Sequence, residues 1–204
     1  MSQPVLLCDV GKVLIDFDFS IAASRLAEKC DHPAELVMTL FDDIKGPYED
    51  GRMDDIAFVR EAIAATGFRG TPEEFEHIWC DIFTQNEPMH ATLTALAGKL
   101  PMHLLSNTSG LHKDFFLRTF PIFKPFKSGV YSYSARCSKP GEEIFRKTIA
   151  ELDLDPARTF YIDDLTANIA TAARLGFQTF HYSFAKHRGL QQELEAWLSA
   201  QGIG

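Results

Sequence analysis

The sequence has few cysteines and no long apolar run, and these absences exclude several classes of protein. Four cysteines occur among 204 residues, without a C-x-x-C pair, so a structural zinc site is not expected. No apolar segment approaches the ~20 residues needed to span a bilayer. The chain also begins without the basic segment of a signal peptide. We therefore expect a cytoplasmic protein with no membrane partner.

An excess of basic residues is also missing. The chain carries 20 Lys and Arg against 28 Asp and Glu, a formal net charge of -8. This balance argues against a general partnership with nucleic acid. Composition is otherwise that of a globular protein, with 46% hydrophobic residues, and the length allows one domain carrying an inserted module.

Five short apolar runs have the character of strands covered on both faces. They are VLLCD (5–9), MHLLS (102–106), VYSY (130–133), TFYID (159–163) and QTFHY (178–182). Amphipathic patterns follow the later runs, at 142–152, 166–177 and 189–200. Alternation of strand and helix predicts an α/β fold with a doubly wound parallel sheet of the Rossmann-like kind.

The segment between the first two runs differs, since all of its patterns are helical and no strand is expected before Met102. One of these helices is expected to start at Thr71, with Pro72 in its first turn. We predict a core domain formed by residues 1–16 and 93–204, with an inserted helical domain over residues 17–92.

Polar residues follow four of the predicted strands. Asp9 ends the first, Ser106 and Asn107 end the second, and Asp163 and Asp164 end the fourth. Lys139 stands between the third strand and the next helix. Ligands of open parallel sheets bind beyond the carboxyl ends of the strands, so these side chains are predicted to converge on one site.

This ordered set resembles the haloacid dehalogenase-like (HAD) hydrolase superfamily over nearly the whole chain. The four motifs are DVGKV (9–13), HLLSNT (103–108), Lys139-Pro140, and Asp163-Asp164 with Asn168 in DDLTANI. The extended first motif, DVGKVLIDFD, is similar to a branch that includes bacterial sugar-phosphate phosphatases. In this resemblance the inserted helices correspond to a C1-type cap, which excludes water and contacts a small substrate.

The resemblance implies a role for each motif. Asp9 is the nucleophile that forms an aspartyl-phosphate. Mg²⁺ is held by Asp9, the Gly11 backbone carbonyl and Asp164, with Asp163 and Asn168 in support; it offsets the repulsion between clustered carboxylates and a phosphate. Ser106 and the Asn107 backbone N–H bind phosphoryl oxygens, and Lys139 neutralises Asp9 and the phosphate. The implied partner is a small phosphorylated metabolite.

Gly11 departs from the phosphatase pattern, in which a second aspartate at this position protonates the leaving group. Such help contributes ~10²–10⁴-fold in rate. Asp16, Asp18 and His112 are nearby alternatives for an acid, although a capping role is favoured for the two aspartates. Three interpretations stay open: a Mg²⁺-dependent phosphomonoester hydrolase, a metal-independent 2-haloacid dehalogenase that uses Asp9, and a catalytically weak HAD-like ligand-binding protein.

Overall fold

The protein is described by a computed structural model that covers residues 3–203. Within this range the strands, in chain order, are β1 Val5–Cys8, β2 Ile15–Phe17, β3 Phe83–Gln85, β4 Met102–Ser106, β5 Ser128–Tyr131, β6 Thr159–Asp163 and β7 Gln178–His181. Five of them form one sheet in the order β5-β4-β1-β6-β7, and every pairing in it is parallel. The predicted doubly wound α/β fold is confirmed, with β1 at its centre.

Helices cover both faces of this sheet. In chain order they are α1 Phe19–Ala27, α2 Ala34–Val37, α3 Asp42–Glu49, α4 Asp55–Thr66, α5 Pro72–Cys80, α6 Glu87–Leu96, α7 Gly110–Thr119, α8 Ser132–Ala135, α9 Glu142–Glu151, α10 Thr166–Arg174 and α11 His187–Ala200. Short 3-10 turns lie at Met38–Phe41, Pro121–Phe123, Pro156–Arg158 and Phe184–Lys186. None of the helices within residues 3–203 is long and apolar enough to cross a membrane.

The side chains of β1 alternate between two apolar cores. Leu6 and Cys8 belong to a buried cluster with residues of α6 and α11, on one face of the sheet. Val5 and Leu7 belong to a cluster with residues of α9 and α10, on the other face. Because both faces are covered, β1 has no polar alternation. Burial also raises the pKa of the Cys8 thiol, which therefore packs as a small apolar side chain.

The helices α1–α5 have a separate aromatic core, built around Phe41, Phe58, Phe75 and Trp79. The start of α5 follows the prediction: Thr71 accepts a hydrogen bond from the Glu74 backbone N–H, and Glu74 accepts one from the Thr71 N–H. This reciprocal capping fixes the first turn of α5.

An antiparallel ribbon of β2 and β3 joins the two ends of the helical segment, with Phe17 opposite Phe83. The expectation of no strand before Met102 is wrong here, because strands of three residues have too little periodicity to be distinguished from helix ends. The predicted domain boundary at residue 92 falls inside α6, whose Met89 and Leu93 pack in the sheet core. The division into core and inserted domain stays a prediction.

Candidate active site

The ends of three neighbouring strands meet at one edge of the sheet. Asp9 follows β1, Ser106 ends β4 and Asp163 ends β6, and β1 pairs with both of the others. The backbone N–H of Asp9 donates to the carbonyl of Ile162 at 2.9 Å, which continues the β1–β6 ladder past the last strand residue. The topology thus brings together side chains that are distant in sequence.

Lys139 links these strand ends from a buried position. Its Nζ lies 2.8 Å from Asp9 Oδ1 and 2.7 Å from Asp163 Oδ2, and it donates to the Leu105 carbonyl at 3.0 Å. Only 2% of the lysine side chain is exposed. Burial by itself lowers the pKa of Lys139, but the two carboxylates outweigh it and raise that pKa above the usual value. The ammonium therefore stays charged.

Asp163 is fully enclosed by donors. Besides Lys139, its carboxylate accepts hydrogen bonds from the Tyr161 hydroxyl, from the Leu165 N–H at 2.8 Å and from Asn168 Nδ2 at 2.9 and 3.0 Å. These contacts use the lone pairs of both carboxylate oxygens. Asp163 therefore holds its neighbours in place, and its supporting role toward a metal stays a prediction.

Three carboxylates share this edge with one ammonium. An oxygen from each of Asp9, Asp163 and Asp164 lies within 4.8 Å of the other two. Burial raises the pKa of Asp9, Lys139 opposes that rise, and the Asp163 charge adds to it. Burial and then the Asp163 charge raise the pKa of Asp164 as well. The cluster therefore lacks positive charge, which is the electrostatic condition for binding a divalent cation.

Asn168 carries an unpaired buried oxygen at the same edge. Its Nδ2 is occupied by Asp163, but its Oδ1 is buried and has no hydrogen-bond partner in the described part of the chain. An unsatisfied buried carbonyl is costly. Asn168 lines the same cavity as Asp9 and Asp164, so this cavity combines three acceptor side chains, a donor set that fits a cation.

The Ser106-Asn107 pair ends β4 beside Lys139. Ser106 is 2% exposed, and its hydroxyl makes one long contact, 3.5 Å to the Asn107 carbonyl. This leaves its proton available to a ligand. The Asn107 side chain holds the backbone of Lys139 on both sides: Nδ2 donates to the Lys139 carbonyl at 2.8 Å, and Oδ1 accepts from the Lys139 N–H at 2.9 Å. The sequence motif implies a role only for the Asn107 backbone N–H, and residue spacing carries no signal for this side-chain clamp.

The turn after Asp9 is shaped by Gly11 and Lys12. Lys12 has a left-handed backbone (φ 56), which strains a residue with a side chain. Its ammonium pairs with Asp16, donates to the Phe17 carbonyl at 3.2 Å and lies 4.6 Å from the Phe17 ring centre. These contacts hold Lys12 against β2. Asp16 is thereby occupied in an ion pair.

The remaining predicted alternatives for an acid have structural roles. Asp18 caps α1 by accepting from the Ser20 N–H at 2.9 Å. His112 is buried, contacts the Trp79 carbonyl at 3.2 Å through Nε2, and stacks on the Trp79 ring. Burial lowers the pKa of His112 to about 4. It is therefore neutral near pH 7 and a poor proton donor to a leaving group.

Two adjoining cavities open at this edge. The first cavity contains the charged groups, and its lining includes Asp9, Ser106, Lys139, Asp164 and Asn168. The second cavity is walled mainly by apolar side chains of the ribbon and of helices α1 and α7. The two share four residues, Gly11, Phe17, Ser106 and Asn107. A ligand bound at Asp9 therefore has room to extend over Gly11.

Comparisons with known proteins agree with this architecture. The family described as haloacid dehalogenase-like hydrolase matches residues 61–181. A D-ribitol-5-phosphate phosphatase from Bacteroides thetaiotaomicron is 24% identical over 184 residues, which cover 86% of this chain and 89% of that protein.

Two solved structures share the fold at 24% identity. A HAD family enzyme from Bacteroides thetaiotaomicron, in complex with magnesium and inorganic phosphate, has a TM-score of 0.77 and is covered over 93% of its length by 88% of this chain. A predicted HAD-like family hydrolase from Porphyromonas gingivalis has a TM-score of 0.78, with 98% of that chain and 94% of this one covered. The likeness extends to the helical segment as well as to the sheet.

Proposed function

The chain belongs to the haloacid dehalogenase-like hydrolases, and from this premise we propose that it hydrolyses phosphate monoesters of small metabolites. The observation that carries the proposal is the Lys139 bridge between Asp9 and Asp163, with Asp164 beside it. A buried ammonium fixes one carboxylate in place while a second carboxylate holds the ammonium. Asp9 is thereby presented as an oriented nucleophile at the open end of the sheet.

The proposed cofactor is Mg²⁺. Asp9, Asp164 and the Gly11 carbonyl would hold it, since hard oxygen ligands are what this ion prefers. When bound, it supplies positive charge to the phosphoryl oxygens. The acidic cluster and the unsatisfied Asn168 carbonyl support this assignment, as does the magnesium complex of the related enzyme from Bacteroides thetaiotaomicron.

The residues of the first cavity then divide the reaction between them. Asp9 attacks phosphorus, the P–O bond to the ester oxygen breaks, and the alcohol leaves after taking a proton from solvent, so that the phosphoryl group is transferred to the Asp9 carboxylate. Ser106, with the Asn107 backbone N–H, donates to phosphoryl oxygens, and Lys139 aligns Asp9 and opposes the rise in its pKa that burial causes. Water hydrolyses the aspartyl-phosphate in a second step. Because Gly11 supplies no acid, we expect good leaving groups to be favoured.

Residues 17–92 are proposed to act as a cap over this site. Their helices α1–α5 pack around a separate aromatic core, and Phe17 and Phe19 reach the second cavity. A helical cap leaves room for a small metabolite and excludes a folded phosphoprotein. A relative is named D-ribitol-5-phosphate phosphatase, which supports sugar and sugar-alcohol phosphates as the first substrates to examine.

The dehalogenase alternative is less well supported. Attack of Asp9 on carbon with loss of halide needs no metal, so the additional carboxylates of Asp163 and Asp164 would only repel the anionic haloacid. Gly11 is compatible with that reaction, but the acidic cluster and the unpaired Asn168 oxygen are better explained by a cation and a phosphate.

A substrate screen with matched variants tests the proposal. Wild type is expected to hydrolyse p-nitrophenyl phosphate with Mg²⁺ and to lose activity with EDTA. Asp9→Asn is expected to lose at least a thousandfold in kcat, whereas Asp43→Asn, an exposed carboxylate of α3, serves as the control. Inactivity of wild type across a broad phosphate panel with Mg²⁺ would contradict the proposal, and chloride release from 2-chloropropionate without metal would replace it with the dehalogenase.

A further inference from the structure

The second cavity contains one acidic side chain, that of Glu49 at the end of α3. The other ionisable group in its lining is His112, whose Nε2 is already engaged by the Trp79 carbonyl. The walls are otherwise largely apolar, with Phe17, Phe19 and Phe83 among them. A ligand that extends from the first cavity into the second therefore contacts an apolar surface and one hydrogen-bond acceptor, the Glu49 carboxylate.

The main chain at Glu49 is fixed against the sheet domain. Ser132 Oγ donates to the Glu49 carbonyl at 2.8 Å, and Ser138 Oγ donates to Asp50 Oδ1 at 3.0 Å. Gly51 has φ 70, and a Cβ there would lie 1.8 Å from the Tyr133 carbonyl oxygen, so the backbones are in direct contact. Ser138 precedes Lys139, so this docking places Glu49 in a constant position relative to the reacting groups.

The Glu49 carboxylate is only weakly engaged within the protein. Lys45 Nζ is 3.9 Å from Glu49 Oε1, longer than a hydrogen bond, and the same ammonium lies 4.3 Å from the centre of the Phe19 ring. The Glu49 side chain is 44% exposed. Burial of the remainder raises its pKa, Lys45 opposes that rise, and Asp50 adds to it. The carboxylate oxygens are thus available to a ligand in the cavity.

We propose that Glu49 is a specificity-determining residue, which accepts hydrogen bonds from hydroxyl groups on the leaving group of the phosphate ester. An ionised carboxylate only accepts hydrogen bonds, and it repels a second anionic group. The inference rests on the proposed function and narrows its substrate class. The preferred substrate is a monophosphate of a neutral polyhydroxylated carbon chain, and carboxylate-bearing phosphates are disfavoured.

Substrate selectivity in Glu49 variants tests this inference. The substrates are glycerol 3-phosphate and a pentitol 5-phosphate, with phosphoglycolate as the anionic comparison and p-nitrophenyl phosphate as the reference without hydroxyls. In Glu49→Ala, kcat/KM for the two polyol phosphates, relative to the reference, is expected to fall at least tenfold, mainly through KM. The ratio for phosphoglycolate is expected to rise. Glu49→Gln should retain part of the polyol preference, because its amide oxygen still accepts.

The controls separate this inference from the function on which it rests. Glu35→Gln, an exposed carboxylate in α2, should leave all ratios unchanged, and thermal melts identify misfolded variants. If wild type hydrolyses the reference ester but neither polyol phosphate, or if the Glu49 variants change no ratio more than twofold, this inference fails alone. If wild type hydrolyses none of the esters, it fails together with the proposed function.

Discussion

Phe17 lies directly against Gly11, so that a Cβ atom on residue 11 would come within 2.9 Å of Phe17 Cε1. The ring occupies space that a side chain at position 11 would need. The Phe17 ring and a side chain at position 11 therefore exclude each other sterically, so the glycine at position 11 goes with the aromatic residue in β2.

Restoring an aspartate at position 11 is expected to require a change at position 17. Gly11→Asp alone should destabilise the protein by about 1–3 kcal/mol, because it overpacks the contact with Phe17. Adding Phe17→Leu should recover most of that loss, with Phe17→Leu alone as the matched control. Urea unfolding measures the effect, and a Gly11→Asp single variant as stable as wild type would contradict it.

Removing the Asn107 side chain should displace Lys139 although Lys139 itself is not substituted. Asn107→Ala deletes two hydrogen bonds to the Lys139 backbone, an expected loss of about 1–3 kcal/mol in the free energy of unfolding. Turnover of p-nitrophenyl phosphate should fall at least tenfold, since the ammonium loses its position. Gln192→Ala, a substitution of an exposed residue in α11, is the control. Equal activity in the two variants would show that the Asn107 clamp is dispensable.

Acid should destabilise the protein partly through His112. Its pKa is about 4 when folded against about 6.5 when unfolded, so the unfolded state binds more protons between these values. The contribution of neutral His112 is complete above about pH 6.5 and decreases as the pH falls towards 4, by up to about 3 kcal/mol. The free energy of unfolding, measured with urea at pH 5 and pH 7.5, should fall between the two pH values by less in His112→Gln than in wild type. An equal fall in the two proteins would contradict this role of His112.

Mg²⁺ should stabilise the protein more at high pH than at low pH. Burial raises the pKa of Asp9 to about 7, so without metal the folded state binds more protons than the unfolded state between about pH 4 and 7. Metal-free stability therefore falls as the pH rises through that window. A cation at 100 times its Kd adds about 2.7 kcal/mol, and protons compete with it for Asp9 below about pH 7.

Thermal melts with and without Mg²⁺ at pH 5.5 and pH 8 measure this difference. Asp164→Asn should lose most of the gain, while Asp43→Asn should keep it. A shift that is equal at both pH values, or unchanged in Asp164→Asn, would place the cation elsewhere.

The sequence was sufficient to predict what depends on strand ends. The apolar runs that precede Asp9 and Asp163 identify strands buried on both faces. Because these strands are parallel, their carboxyl ends meet at one edge of the sheet. The ribbon of β2 and β3 was not predictable in this way, because three-residue strands pair only through contacts distant in sequence. The Asn107 clamp and the position of Glu49 depend on contacts between residues far apart in the sequence. Such contacts leave no periodic pattern from which they could be predicted.

The ribbon also has a consequence for how this protein changes over evolutionary time. Since Phe17 pairs with Phe83, the chain leaves the sheet and returns to it at adjacent points. The intervening helices can lengthen, shorten or be exchanged while the spacing at the sheet edge is preserved. If the helices form the proposed cap, we expect mutations in them to change which molecules reach the site, and mutations at the strand ends to change the reaction itself.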